Sequence, residues 1–352
     1  MTLLKEKILR LIREQGPITL AHYMQMALLD PDHGYYMKRD PLGRDFITAP
    51  EVSQIFGELI ALFFIQAWED RGRPRRFHWV ELGPGRGTLI ADMLRTAKIR
   101  PAFGDAGYVT LIETSPALRA IQMQNLGDRV TWAQSLDEIP GDAPLFAVGN
   151  EFLDALPIRQ FVMARGGWHE KMVMACGGAL QFALAPTASH MDFLPKAAQA
   201  NAVFEISPAA RSIVAELANR IAKRDGVALI IDYGHAKAGF GDTFQAVKAH
   251  GYADPLVEPG ESDLTAHVDF SALADAARQE HAQVLGPATQ ADFLEALGIR
   301  LRAERLTRAG PQTANEIEAA IDRLTGKDQM GTLFKVLALA APNTPRLPGF
   351  SC

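Results

Sequence analysis

Glu81-Leu82-Gly83-Pro84-Gly85-Arg86-Gly87-Thr88 is the stretch on which the reading of this chain turns. Before it, FHWVELG reads as a short buried strand, and after it GTLIADMLRTA reads as a helix. A glycine-rich turn between strand and helix lets the backbone approach a ligand closely, beside the positive end of a helix. A turn kept only for packing would contain the same glycines, so its surroundings decide between the two.

Working outward, YVTLIET and PALRAIQMQNL repeat the strand-then-helix order, TWAQ is a short strand candidate, and LFAVGNE is a stronger one followed by the turn-forming FLDALP. This βαβα rhythm predicts an α/β fold, a mostly parallel doubly wound sheet with helices on both faces. After Pro157 the runs IRQFVM, WHEKMVM and ALQFAL are separated by Gly-rich turns, which predicts an antiparallel insertion over 158–203. The α/β pattern resumes with SPAARSIVAELANRIAKRDG, a helix with Ser207 as its cap and a glycine stop, and with the buried strand VALIIDYG. Residues 235–265, rich in Gly, Asp and His, read as a long loop, the start of a loop and helical insertion over 235–280 on the substrate side. Helices follow, and LFKVLALA is the last strand. The sheet domain is thus expected over 77–157 and 204–340.

Residues 1–76 read as a helical, lid-like region. Leu4, Ile8, Leu11 and Ile12 share one stripe of a first helix. The polar loops DPDHGYYMKRDPLG and DFITAPEVSQ follow. Thr48 lies three residues before Glu51 with Pro50 between them, a capping-box pattern, and Ile55, Leu59, Leu62 and Phe63 recur at helical spacing beyond it.

The chain has 352 residues, long for one domain of about 100–200. Its 48% hydrophobic and 22% charged residues are those of a chain that buries a core. With 36 Lys+Arg against 41 Asp+Glu the net charge is −5, which gives no bulk attraction to nucleic acid or to an anionic membrane. Cys176 and Cys352 are too few for a thiolate zinc site or a disulfide framework, and no two histidines lie at the i, i+4 spacing of a zinc hydrolase, so no metal is expected. No signal-like apolar stretch opens the chain, acids such as Glu6 and Glu14 are foreign to a transit peptide, and Leu59–Ile65 is too short to span a bilayer. The expectation is a cytoplasmic protein.

Three constellations carry chemistry. Glu113 ends the strand after the glycine turn, where a carboxylate can accept hydrogen bonds from both hydroxyls of a ribose. A dinucleotide fingerprint wants its third glycine three residues after the second, where Thr88 stands; here Gly87 comes only two after. This spacing, with an acid two residues before the first glycine, resembles the first motif of S-adenosylmethionine (SAM) methyltransferases. Next, Asn150-Glu151-Phe152-Leu153-Asp154-Ala155-Leu156-Pro157 places three polar groups at the carboxyl end of a strand, where open α/β sheets bind ligands. Asp154 as a turn cap and Glu151 in solvent is the plain alternative. Last, Asp45 through Ser53, with His33-Gly34-Tyr35-Tyr36 upstream, could form a lid over a substrate or an ordinary packed loop. Asp232-Tyr233-Gly234-His235 and Asp263 through Phe270, which includes His267, hold isolated histidines of the kind that are mostly structural or exposed.

Together ELGPGRGTL, NEFLDALP, IIDYG, DLTAHVDF, DFITAPEVSQIFGEL and MGTLFKVL, in matching order from about His33 to Val336, resemble the MidA-like methyltransferases, which include the mitochondrial complex I assembly factor 7 and its bacterial relatives. The resemblance implies a class I, Rossmann-like SAM methyltransferase fold, a seven-stranded sheet with its last strand antiparallel, and SAM as cofactor. It also implies methylation of protein arginine, with a 49 kDa-type subunit of complex I as the protein partner. Carried over by position, Glu81, Gly83, Pro84, Gly85 and Gly87 surround the methionine portion of SAM. Glu113 takes the ribose, and Ser135 and Leu136 lie near adenine. Asn150, Glu151 and Asp154 face the acceptor as catalytic residues, and Tyr35, Asp45, Thr48, Glu51 and His267 bind substrate. The better-known arginine methyltransferases hold the guanidinium between two glutamates on a longer loop, whereas here the acids at 151 and 154 are three apart. A SAM-binding assembly chaperone without catalysis and a small-molecule methyltransferase remain the alternatives; the Thr88 spacing argues against a nicotinamide-dependent oxidoreductase.

Overall fold

The central sheet is built from β1 (Phe77–Leu82), β2 (Gly107–Ile112), β3 (Thr131–Ala133), β4 (Leu145–Asn150), β5 (Gly226–His235), β6 (Gln283–Thr289) and β7 (Phe334–Ala340). The structure, a computed structural model, describes residues 2–38, 47–164, 166–344 and 346–350. The strands lie in the order β6-β7-β5-β4-β1-β2-β3. β1 to β5 run parallel, and β7 pairs antiparallel with both β5 and β6. The short strand Val268–Asp269 adds an eighth, parallel to the end of β5. All six residues of β1 and of β4 are buried, as expected of strands covered on both faces. The order reverses beside β1, since β2 follows it on one side and β4 lies on the other, so the carboxyl ends of β1 and β4 flank the place where such sheets bind ligands.

Local sequence sets the flanking helices. Pro116–Leu126 starts with a proline behind Ser115, whose hydroxyl accepts from the Leu118 amide, and stops at Gly127 in a positive-φ conformation. Between the helices and the sheet lies an aromatic core of Phe64, Phe77, Trp79, Phe103 and Phe146, with ring centroids 4.7 Å apart for Phe77 and Phe146 and 5.0 Å for Trp79 and Phe103. Burying each such ring contributes about 1.5–3 kcal/mol, so this cluster anchors the sheet.

The chain divides into two compact units, and the cuts differ from those the sequence suggests. One unit comprises Ile47–Leu153, Ser212–Ala236 and Val268–Cys352 and holds the central sheet; the other comprises Met1–Phe46, Asp154–Arg211 and Lys237–His267. The region read as one N-terminal lid therefore splits at residue 46: the helices Ala49–Val52 and Gln54–Asp70 belong to the sheet unit. In the other unit, the first helix Leu3–Gln15 buries Leu4, Ile8, Leu9 and Ile12, close to the predicted stripe. The insertion forms an antiparallel sheet from Arg159–Ala164, Gly167–Cys176, Ala179–Leu184 and Val203–Ile206, to which Ile18–Thr19 adds. Residues 235–265 are not one long loop. Gln245–Lys248, Gly251–Ala253 and Asp263–Thr265 pair into a small antiparallel sheet, whose strands are too short to leave a periodicity. Among the described residues no helix is long and apolar enough to cross a membrane.

Candidate active site

β1 delivers Glu81 to the head of the glycine turn. Gly83, Gly85 and Gly87 all take positive φ, at 60°, 55° and 79°. The Gly83 amide donates to the Ile112 carbonyl (3.1 Å) and the Gly87 amide to the Pro84 carbonyl (2.7 Å), and Thr88 opens the next helix. A Cβ at Gly83 would stand 2.5 Å from the Phe152 ring, and one at Gly87 2.8 Å from Leu126 Cδ1. Backbone shape and space therefore both demand glycine at these two positions. The Glu81 carboxylate is buried, which pushes its pKa well up against a hydrogen bond from the Ile90 amide. Among the described residues its Oε2 has no hydrogen-bond partner. A buried acceptor left open at the head of such a turn is suited to a donor or cation brought by a ligand.

Glu113 follows β2 and is 8% exposed. Burial raises its pKa, opposed by hydrogen bonds from the Ser115 amide and from Gln122. Its Oε1 accepts from Ser115 N–H at 2.7 Å and its Oε2 from Gln122 Nε2 at 3.3 Å. Gln122, wholly buried, also donates to the Gly85 carbonyl (2.7 Å) and accepts from the Trp132 indole (2.8 Å). One side chain thus ties the glycine turn, the acid after β2 and strand β3 together. Sequence reading missed it, although Gln122 lies between Leu118 and Leu126 at four-residue steps, a polar residue on an otherwise apolar buried stripe. After β3, Ser135 is exposed and Leu136 buried at the start of a short 3₁₀ turn.

At the end of β4, Glu151 takes φ +48°, a left-handed conformation uncommon for a residue with a side chain. Its amide donates to the Ile231 carbonyl (2.9 Å). Its Oε1 accepts from the Ala49 amide (2.8 Å) and from Asn150 Nδ2 (3.2 Å). Asn150 is 8% exposed, and among the described residues its Oδ1 lacks a partner. The helix Ala49–Val52 that meets Glu151 also meets the glycine turn, because Glu51 Oε1 accepts from the Thr88 hydroxyl at 2.5 Å and Glu51 Oε2 lies 3.9 Å from Arg86. The capping box predicted here is therefore absent. Thr48 makes no side-chain cap, Glu51 being turned toward Thr88, and Ser53 caps the following helix through the Ile55 amide instead.

The remaining candidates lie in the other unit. Asp154 is buried, and its backbone carbonyl accepts from the Ala266 amide. The Tyr36 hydroxyl donates to Asp263 Oδ1 at 2.6 Å, and its pKa is raised by burial first and then by the charges of Asp263 and Asp154. Tyr35, expected on a substrate surface, is wholly buried in that unit's apolar core, edge-on to Tyr36. His267 donates its amide to the Thr243 hydroxyl (2.9 Å). Asp45 lies outside the described residues.

The strand order, the antiparallel β7, the glycine turn after β1 and the acid after β2 together define a class I SAM-dependent methyltransferase. The sequence profile of a family of S-adenosyl-L-methionine-dependent methyltransferases matches residues 59–288, and the chain belongs to that family. Among curated proteins it is similar to the mitochondrial protein arginine methyltransferase NDUFAF7 of Danio rerio, 37% identical over 94% of this chain and 85% of that protein. The Homo sapiens protein of the same name is 36% identical over 93% of this chain and 81% of its own length. A likely methyl transferase of the COG1565 superfamily from Burkholderia thailandensis, solved bound to S-adenosyl-homocysteine, superposes with a TM-score of 0.85 at 28% identity, covering 98% of this chain and 93% of that one. SAM is the cofactor, and the sheet unit fits it. Glu81 Oε2 and Asn150 Oδ1, both buried acceptors without a hydrogen-bond partner among the described residues, lie at the carboxyl ends of neighbouring strands at the point where strand order reverses.

Proposed function

We propose that the chain methylates a guanidinium nitrogen of arginine in a protein. The observation that carries this reading is Glu151, a carboxylate held at the end of β4 against backbone strain by hydrogen bonds from Ala49 and Asn150. Similarity to relatives named protein arginine methyltransferases, over 93–94% of the chain, supports the acceptor class.

Glu81 and the turn Gly83, Pro84, Gly85 and Gly87 would hold the methionine portion of SAM, Glu113 the ribose, and Ser135 with Leu136 the adenine. When bound, the cofactor supplies a methyl group already activated by its sulfonium charge. Heavy acid–base machinery is then unnecessary, and positioning supplies most of the acceleration, for which the general ceiling is about 7–11 kcal/mol. Arginine is protonated at any physiological pH, its pKa being above about 12. A carboxylate that hydrogen-bonds the guanidinium aligns it and localises a lone pair on the nitrogen that reacts. Glu151 takes that part, and Asn150 orients the nucleophile. Asp154, three residues on, is the second candidate carboxylate on sequence grounds. The narrower reading of the acceptor, a 49 kDa-type quinone-oxidoreductase subunit, rests on the family resemblance, and a cytoplasmic setting is proposed with it on sequence grounds.

The test is label transfer. The purified chain with methyl-labelled SAM is expected to modify arginine in that subunit or in a peptide library, read by mass spectrometry. SAM binding with no labelled residue would favour an assembly chaperone. Glu151→Gln is expected to keep SAM affinity within about twofold and to lose at least about 100-fold in turnover; unchanged turnover refutes the role.

A further inference from the structure

We propose that Asp232 is a positioning residue for methyl transfer, its carboxylate holding the turn that presents Glu151. The proposal rests on the role given to Glu151 above. Asp232 sits on β5 with 1% of its surface exposed. β5 and β4 run parallel with Ile231 opposite Asn150, so Asp232 lies alongside position 151, one step beyond the end of β4. Three successive amides of the turn end on these two residues. Glu151 N–H donates to the Ile231 carbonyl, and the amides of Phe152 (3.2 Å) and Leu153 (2.9 Å) both donate to Asp232 Oδ2. Asp232 Oδ1 accepts from the Tyr233 amide at 2.9 Å, which fixes the carboxylate itself.

This arrangement answers the question Glu151 raises. A glutamate at φ +48° persists only where its surroundings over-determine it. Charge-assisted bonds from consecutive amides to one buried carboxylate supply that constraint on the chain immediately after it. The tilt of the turn then fixes where the Glu151 side chain departs from the backbone, and a small misplacement at such a point is costly to positioning catalysis. A carboxamide is a poorer brace, because an oxygen that accepts from Phe152 and Leu153 leaves its NH2 facing the Tyr233 amide, and the charge that strengthens all three bonds is lost.

The test uses the full chain and a labelled arginine acceptor. Asp232→Asn is expected to lower kcat at least about tenfold while the SAM Kd from calorimetry stays within about twofold, a split that general damage to the fold would not give. In a Glu151→Gln background the same substitution is expected to cost less than about twofold more, because the group it positions is already gone. Wild-type kcat in Asp232→Asn, or an equal loss in both backgrounds, overturns the proposal. If Glu151→Gln alone leaves turnover intact, the role of Glu151 fails and this proposal with it; if Glu151→Gln collapses turnover and Asp232→Asn does not, this proposal alone fails. Amide hydrogen exchange of the wild type needs no variant to fold: Phe152 and Leu153 are expected to exchange at least about 100-fold slower than a free peptide, and unprotected exchange overturns the proposal.

Discussion

Two turns leave the carboxyl ends of neighbouring parallel strands, and both bend the backbone to positive φ. After β1 the chain does so with Gly83, Gly85 and Gly87; after β4 it does so with Glu151. At the first turn the side chains are removed, and the space goes to the Phe152 ring and Leu126. At the second a side chain is kept in a conformation that costs about 1–2 kcal/mol. Close approach of neighbouring side chains to a bare backbone is the requirement at one turn, and a particular functional group is the requirement at the other. Each is braced by one buried polar side chain from elsewhere in the sheet unit: Gln122 under the glycine turn and Asp232 under the glutamate turn.

The two turns touch at Gly83 and Phe152, so the sharpest way to break the contrast is to give the first turn a side chain. Gly83→Ala adds both unfavourable φ and a collision at 2.5 Å, for which about 2–4 kcal/mol of lost stability is expected, together with loss of SAM binding. Chemical unfolding and calorimetry would measure both. Adding Phe152→Ala should recover part of the stability, so that the double variant is less destabilised than the sum of the single ones. A smaller effect is expected at the brace. Gln122→Leu leaves the Gly85 carbonyl, Glu113 Oε2 and the Trp132 indole each short of a partner, which should weaken SAM binding by about tenfold, or 1.4 kcal/mol, with kcat at saturation unchanged. A fall in kcat with unaltered Kd would place Gln122 on the acceptor side instead.

The smallest effect concerns pH. The folded protein raises the Glu81 pKa above its unfolded value, by burial. Its contribution to stability is therefore full below the usual carboxylate value of about 4.3 and is lost as pH rises through the raised value. Without cofactor, Glu81→Gln is expected to melt a few degrees above the wild type at pH 7–8, with the gap closing toward pH 4, while its SAM affinity falls. A wild type that melts higher than the variant at neutral pH would show that the open acceptor is not a burden.

Strands that are buried on both faces were legible because they read as apolar runs: β1, β4, β5 and β7 lie where the sequence places strands, as does β2, although its Tyr108 is exposed. β6 was not. QVLGPAT carries a Gly-Pro pair that reads as a breaker, and none of its residues is fully buried. The glycine turn announced itself by residue type, and Glu113 by its place after β2. Gln122 did not, and Asp232 stood out only within Asp232–His235 and the IIDYG block and not as a brace, because a single polar residue in a helix or at a strand end has the same appearance whether it faces solvent or braces a turn. Thr48 shows the converse failure. The spacing of a capping box was present, but Glu51 found a better partner in Thr88, a residue 37 positions away that local sequence cannot supply.

β7 enters the sheet between β5 and β6, pairing along its seven residues with β5 and over most of its length with β6. The strand that follows β6 in the chain therefore lies inside it in the sheet. Until Ala340 has emerged, β6 has no strand of this sheet to pair with and β5 lacks its β7 neighbour, so a growing chain must keep a half-built core from sticking to its neighbours while residues 236–333 are made.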